Sequence, residues 1–121
     1  MNIESVKSLF TLFSGECDSE KHSPIITLSM MEVEKMLLPE INENDIRLDF
    51  LSAAIANHRL QQINSARDRT QVTYAGKMVS DNSKSSLEYS ERMLKDYIQL
   101  CEDLIRPRAF MFMSFSYGGD L

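Results

Sequence analysis

The 121-residue sequence contains no tryptophan, two cysteines and no apolar run near the roughly 20 residues that a membrane-spanning helix needs. The cysteines, Cys17 and Cys101, fit neither a metal-ligand spacing nor a disulfide framework. The sequence also lacks a phosphate-binding glycine pattern, a nucleophile elbow and a zinc motif. We therefore expect no enzymatic activity, no cofactor and no membrane span.

An excess of positive charge is absent as well. The formal net charge is −5, and residues 1–45 carry nine acidic residues and three lysines. Residues 46–121 carry ten basic and nine acidic residues, so neither half is strongly basic. Non-specific binding to nucleic acid needs a basic face that contacts many phosphates. The charge pattern therefore predicts no tight DNA binding, and the N-terminus lacks the features of a signal peptide, which predicts a cytoplasmic protein.

Four segments have apolar residues at helical spacing, and the chain is long enough for one domain with one core. The capping boxes Ser29/Glu32 and Ser85/Glu88 mark two helix starts. The predicted fold is mainly α, a small bundle of about four helices in a single domain spanning residues 1–121. The helical body covers residues 2–105 and a C-terminal arm covers 107–121. The predicted helices are residues 2–13, 29–38, 45–68 and 86–105.

The third predicted helix is apolar over more than one face. Leu48, Leu51 and Ile55 form one stripe, and small alanines widen it around residues 53–56. A helix with this pattern lies among other elements rather than on top of one. We expect it to be the centre of the fold.

Two segments have a different pattern. Val72 and Tyr74 alternate with a polar residue, which predicts an extended segment or hairpin near residues 71–79. The tail is rich in aromatic residues and alternates like a strand, which predicts an extended arm. An isolated hairpin is marginal in water and exposed aromatic surface is costly. The tail therefore packs on its own core or docks on a partner, and the sequence favours neither.

Individual polar residues have structural explanations. His58 lacks nearby metal ligands, which indicates a core or helix-surface histidine. Cys101 lies on the apolar face of the last helix, which predicts a buried thiol.

The charged clusters also have simple explanations. An acidic group precedes and enters the third predicted helix, where negative charge is favourable. It consists of Glu40, Glu43, Asp45 and Asp49. A basic group at the end of the same helix contacts nucleic acid or belongs to a solvated helix end. It consists of Arg59, Arg67 and Arg69.

From residue 44 onward the layout resembles bacteriophage head–tail connector proteins, also called head-completion or neck adaptor proteins. Arg47-Leu48 leads into the alanine-rich run at residues 51–56, with Arg59 following. A glycine-containing segment at residues 74–77, a serine-rich segment at 83–86 and an aromatic close at 110–112 come next. The resemblance covers roughly residues 28–115.

The resemblance implies a structural subunit that forms a ring, typically a dodecamer, between the portal protein and a tail-proximal neck or tail terminator protein. DNA would pass through the ring without sequence-specific binding. The protein would occur in the host cytoplasm during assembly and then in the virion neck. The expected partner-binding residues are those of the two extended segments: Val72, Tyr74, Met78, Phe110, Phe112, Phe115 and Tyr117.

Two other functions remain open at this point. One is a small cytoplasmic helical protein that acts as an interaction or regulatory adaptor. The other is a helical nucleic-acid-binding domain, for which only the end of the third predicted helix offers exposed basic and amide side chains.

Overall fold

The computed structural model describes the backbone of residues 1–75 and 77–106, and the side chains of residues 1–67 and 85–106. The helices are α1 (Ile3–Ser14), α2 (Ser23–Met36), α3 (Ile46–Ala75) and α4 (Lys77–Leu100), with a short 3-10 turn (Glu20–His22) before α2. Within these residues the only β-type pairing is an isolated antiparallel bridge between Leu37 and Ile105. The prediction of a mainly α bundle of about four helices is confirmed.

Helix α1 begins and ends where local chemistry requires. The Asn2 side chain accepts hydrogen bonds from the backbone N–H groups of Glu4 and Ser5, which satisfies two of the free donors at the helix start. Gly15 ends the helix with a φ of 77°, a left-handed conformation that glycine adopts without a Cβ penalty.

Helix α2 begins six residues before the predicted start at Ser29, so the proposed capping box lies inside the helix. The Ser29 hydroxyl donates to the carbonyl oxygen of Ile25 at 2.8 Å, which is the bond of an interior serine rather than of a cap. Pro24 lies in the first turn, where its missing N–H leaves no intrahelical bond unmade. The connection between α1 and α2 is therefore shorter than the gap between the predicted helices at residues 2–13 and 29–38.

The extended segment or hairpin predicted near residues 71–79 is wrong. Residues 71–75 belong to α3 and residues 77–79 to α4, and the polar stretch 80–86 is also part of α4. An apolar–polar alternation of three residues is weak evidence for a strand. The helix propensities of ordinary residues differ by at most about 0.7 kcal/mol per residue, so the same residues also fit a helix. In the sequence, Gly76 is the only glycine or proline between Pro39 and Pro107, and it falls between the last residue of α3 and the first residue of α4. The predicted arm 107–121 lies outside the described residues.

Helices α3 and α4 form an antiparallel pair. Arg47 near the start of α3 contacts Leu100 and Asp103 at the end of α4, whereas His58 contacts Ser90 further back along α4. After a turn at residues 101–104, the chain returns to α2. Leu38 N–H donates to Leu104 at 2.9 Å and Arg106 N–H donates to Met36 at 2.9 Å. The last described residues are therefore held at the end of α2.

The core surrounds the first half of α3. One cluster joins it to α2 and α4 through residues such as Val33, Leu51 and Leu94. A second cluster joins it to α1 and α2 through Phe10 and Ile26, which contact the alanines of α3. Residues 53–55, three consecutive positions of α3, are all fully buried, as expected for a helix that is packed on several sides. Among the described residues, no helix is long and apolar enough to cross a membrane.

We expect the Leu94→Ala variant to lose about 2–4 kcal/mol of unfolding free energy, because a fully buried leucine leaves a cavity when it is truncated. Leu100→Ala on the same helix is the matched control. The Leu100 side chain is 51% exposed, so its truncation leaves no cavity. Urea unfolding of both variants at low protein concentration measures the difference. Equal midpoints would show that Leu94 is not packed in the core.

Candidate interaction surfaces

The residues predicted to bind partners fall into two groups. Val72 and Tyr74 lie in the last turns of α3, and Met78 lies in the first turn of α4, but their side chains are outside the described residues. Phe110, Phe112, Phe115 and Tyr117 lie entirely outside them. Their role in partner binding stays a prediction.

Arg47 is the main polar link between the start of α3 and the end of α4. Its guanidinium donates to both carboxylate oxygens of Asp45, to Asp103 at 3.0 Å and to the Leu100 carbonyl at 3.2 Å. Hydrogen bonds from Arg47 lower the pKa of the Asp45 carboxyl and keep it ionised. The Leu100 contact satisfies one of the free carbonyls at the end of α4. Arg47 therefore fixes how the two helices meet.

Two members of the predicted acidic group have structural roles. Asp45 lies immediately before α3 and accepts a hydrogen bond from the Arg47 backbone at 3.0 Å, so it caps the helix. Asp49 accepts a bond from the Asn2 backbone at 3.3 Å and joins α1 to α3. These are the contacts of helix starts, as the sequence indicated for this group, and they do not pair two carboxylates at one point.

The three arginines of the basic group at the end of the predicted third helix also differ in their environments. Arg59 forms an ion pair with Glu32 of α2, and both side chains are partly buried. Arg67 is exposed on α3. The side chain of Arg69 is outside the described residues.

His58 is buried between α3 and α4, with 2% of its surface exposed, so of the two interpretations left open by the sequence it is a core rather than a helix-surface histidine. Its Nδ1 lies 2.9 Å from the Ser90 hydroxyl oxygen, and that hydroxyl donates to the Leu87 carbonyl at 2.8 Å. The contact between the two side chains joins α3 to α4.

Burial lowers the pKa of the His58 imidazole, and Arg59 lowers it further, whereas Glu91 acts in the opposite direction. The unfolded chain, with His58 near its ordinary value of 6.5, therefore binds a proton more readily than the folded chain. Its contribution to stability is complete above pH 6.5 and is lost as the pH falls through the lowered folded-state value.

We accordingly expect the urea midpoint to decrease as the pH is lowered from about 7.5 to about 5.5, the range in which an ordinary histidine becomes charged. The His58→Asn variant keeps an amide nitrogen near the Nδ1 position and should lose most of this pH dependence. The matched control is His22→Asn, which should keep it. A pH dependence that survives in His58→Asn would assign the effect to other groups.

Cys101 is fully buried, and burial raises the pKa of its thiol to about 11. The Sγ donates to the Arg47 carbonyl oxygen at 3.4 Å. The prediction of a buried thiol is confirmed. Cys17, by contrast, is exposed.

We expect a thiol reagent such as dithionitrobenzoate to modify one cysteine of the native protein rapidly near pH 8, because a reactive thiol must be both accessible and ionised. The second thiol should react only after unfolding in urea. Cys17→Ser should abolish the rapid phase, and Cys101→Ser should leave it intact. Rapid reaction of two thiols in the native wild type would mean that α4 opens readily.

The outward face of α4 carries exposed apolar residues. A shallow groove there is lined by Tyr89, Arg92, Met93, Asp96, Tyr97 and Leu100. Tyr89 is 66% exposed and Leu100 is 51% exposed. The Arg92 guanidinium carbon lies 5.8 Å from the centre of the Tyr89 ring, so the arginine lies along the groove.

One wall of this α4 groove is supported by an aromatic cluster. The Tyr97 ring stacks on Phe13 of α1 with centroids 5.7 Å apart, and it lies 5.6 Å from Phe50 of α3. These contacts join three helices beneath the groove, because each ring packs against the other two. The α4 groove is therefore a surface on a rigid support.

A second open groove lies between α2 and α3. Leu28 and Ile63 are its exposed apolar residues, and Arg59 and Gln62 provide polar groups. The Arg59–Glu32 ion pair closes one part of it. It is smaller than the α4 groove and lacks an aromatic support.

The sequence analysis identified neither groove. The α4 groove does have a signal in the sequence, because Tyr89, Met93 and Leu100 recur at helical spacing on a face beside the one that carries Leu94. Asp96 lies in the middle of that face and makes it resemble an ordinary solvated surface.

Comparison with known proteins adds no relative: no protein-family model, no curated protein and no solved structure matches this chain.

Proposed function

We propose that this chain is a structural subunit of a phage head–tail connector, a ring that joins the portal to the tail and continues the DNA channel. The resemblance of residues 28–115 to connector proteins suggests this function. The observation that carries it furthest is that the α3–α4 junction and Arg106, the last described residue, lie at opposite ends of one long helical pair.

The separation of these ends follows from helix geometry. The 30 residues of α3 span about 45 Å at a rise of about 1.5 Å per residue. The junction of α3 and α4 near Gly76, with Val72 and Tyr74 close to it, lies at one end. Arg106, from which the aromatic tail continues, is hydrogen-bonded to Met36 at the other end. An adaptor between two assemblies needs contact points that are separated in this way.

The body between the two ends supports the same function. An adaptor transmits force only if its contact segments are fixed relative to one another. The first half of α3 is buried by three other helices, and Arg47 and His58 fix α4 against it. The proposed ring forms when each subunit gives one surface and receives another from its neighbour, as in a heterologous interface.

The net charge of −5 is compatible with a ring through which DNA passes. A strongly basic lining would bind many phosphates and retain the DNA. Specific base recognition is not part of the proposal.

We expect particles that lack this protein to accumulate as filled heads and separate tails, and purified protein to join them. Removal of residues 109–121 should abolish joining while the truncated chain stays folded by circular dichroism, because the aromatic contacts would be lost. The matched control removes only residues 118–121 and keeps the segment from Phe110 to Tyr117. Electron microscopy of joined particles is the measurement.

Three results would contradict the proposal. The first is absence of the protein from purified virions. The second is a gene position away from capsid and tail genes. The third is full joining by the 109–121 truncation, which would remove the tail from the mechanism. Absence from virions would favour the alternative, a cytoplasmic helical adaptor that binds another protein.

A further inference from the structure

We propose that the α4 groove is a self-association surface, on which the α4 helix of a second copy of this chain packs in antiparallel orientation. This inference is independent of the connector function, since it concerns pairs of free subunits in solution.

The spacing of residues along the α4 groove is that of a helix–helix seam. Tyr89, Met93, Asp96 and Leu100 follow one another at intervals of four, three and four residues. This alternation is the repeat that keeps a narrow stripe facing a partner helix. Within the described chain the stripe runs beside the core face of α4: Tyr89, Asp96 and Leu100 are exposed, and Met93 is partly buried against the core cluster of Leu94 and Ile98.

The charges of the stripe select a second copy of the same helix. Arg92 and Asp96 are both exposed, and neither forms a salt bridge within the described residues. In an antiparallel pair centred between Met93 and Asp96, each Arg92 approaches the Asp96 of the partner helix. The same contact occurs twice, as a two-fold interface requires.

The apolar residues are self-complementary in the same register. Tyr89 at one end of the stripe lies opposite Leu100 of the other copy, and Met93 lies opposite the stem of Asp96. A parallel pair would place Asp96 against Asp96, and facing like charges destabilise helix pairs. The arrangement of charges therefore specifies the antiparallel orientation.

The size of the stripe sets the expected affinity. Its 12 residues span about 18 Å of helix at about 1.5 Å per residue, which is a small contact compared with the roughly 800 Å² per partner of a standard interface. We therefore expect a dimer that forms with increasing concentration rather than an obligate one. Added salt should weaken it, because the Arg92–Asp96 pairs lie near solvent.

Charge reversal in the full-length chain tests the inference. By sedimentation velocity, wild type should pass from monomer to dimer as its concentration rises from micromolar to millimolar. Arg92→Asp alone and Asp96→Arg alone should each stay monomeric, because each places like charges across the pair. The double variant with both changes should dimerise again.

Mixing the two single variants gives the sharpest result. Arg92→Asp presents two acids and Asp96→Arg presents two bases, so an equimolar mixture should form heterodimers although neither variant dimerises alone. Lys35→Asp and Glu34→Arg are the matched controls. They make the same charge changes at exposed positions of α2 and should dimerise like wild type.

Three results would overturn the inference. They are a wild type that stays monomeric at millimolar concentration, single variants that dimerise normally, and a mixture that gives no heterodimer. If the wild type stays monomeric and removal of residues 107–121 makes it dimerise, the chain's own tail rather than a second copy occupies the α4 groove. Circular dichroism of each variant checks that it has kept its helices.

Discussion

The structure depends on the burial of the first half of α3. Leu48, Leu51 and Ile55 pack in the cluster shared with α2 and α4, and Ala53 and Ala56 pack in the cluster shared with α1 and α2. Alanine has the smallest side chain that still favours a helix, so neighbouring helices approach closely without a loss of helical stability. Helices α1, α2 and α4 each pack mainly on α3 rather than on one another. Loss of this segment would leave three helices without a common surface.

This central packing was predictable from the sequence, and some details around it were not. Apolar residues on more than one face of a helix require several neighbours, which identified the role of α3. The start of α2 was missed because Ser29 and Glu32 fit a capping box, although the Ser29 hydroxyl bonds to Ile25 inside the helix. The end of α3 was missed because a short alternation near Val72 suggested a strand. A local pattern can fit two structures, and the packing around it determines which one forms. The sequence does not show that packing.

Some of the polar contacts were also predictable from the sequence, and others were not. The burial of Cys101 followed from its position on an apolar face, and the placement of the acidic group at the start of α3 followed from the preference for negative charge there. The contact between His58 and Ser90 was not predictable, because it depends on the register of two helices that are joined far away along the chain. The stripe on the outer face of α4 was missed for another reason. With a charged Asp96 in its centre, it has the composition of a solvated surface and differs only in spacing.

The register of α4 along α3 connects the packing to the proposed roles. Arg47 contacts Leu100 and Asp103 at one end of the body, and His58 contacts Ser90 about 16 Å further along α3 at about 1.5 Å per residue. A slip of α4 by one helical turn, about 5.4 Å, would separate both pairs and leave His58 buried without Ser90. The two contacts therefore hold α4 at one position along α3. They keep the α3–α4 junction and the exit of the C-terminal segment at opposite ends, and they hold the outer stripe of α4 in a fixed position on the aromatic cluster below it.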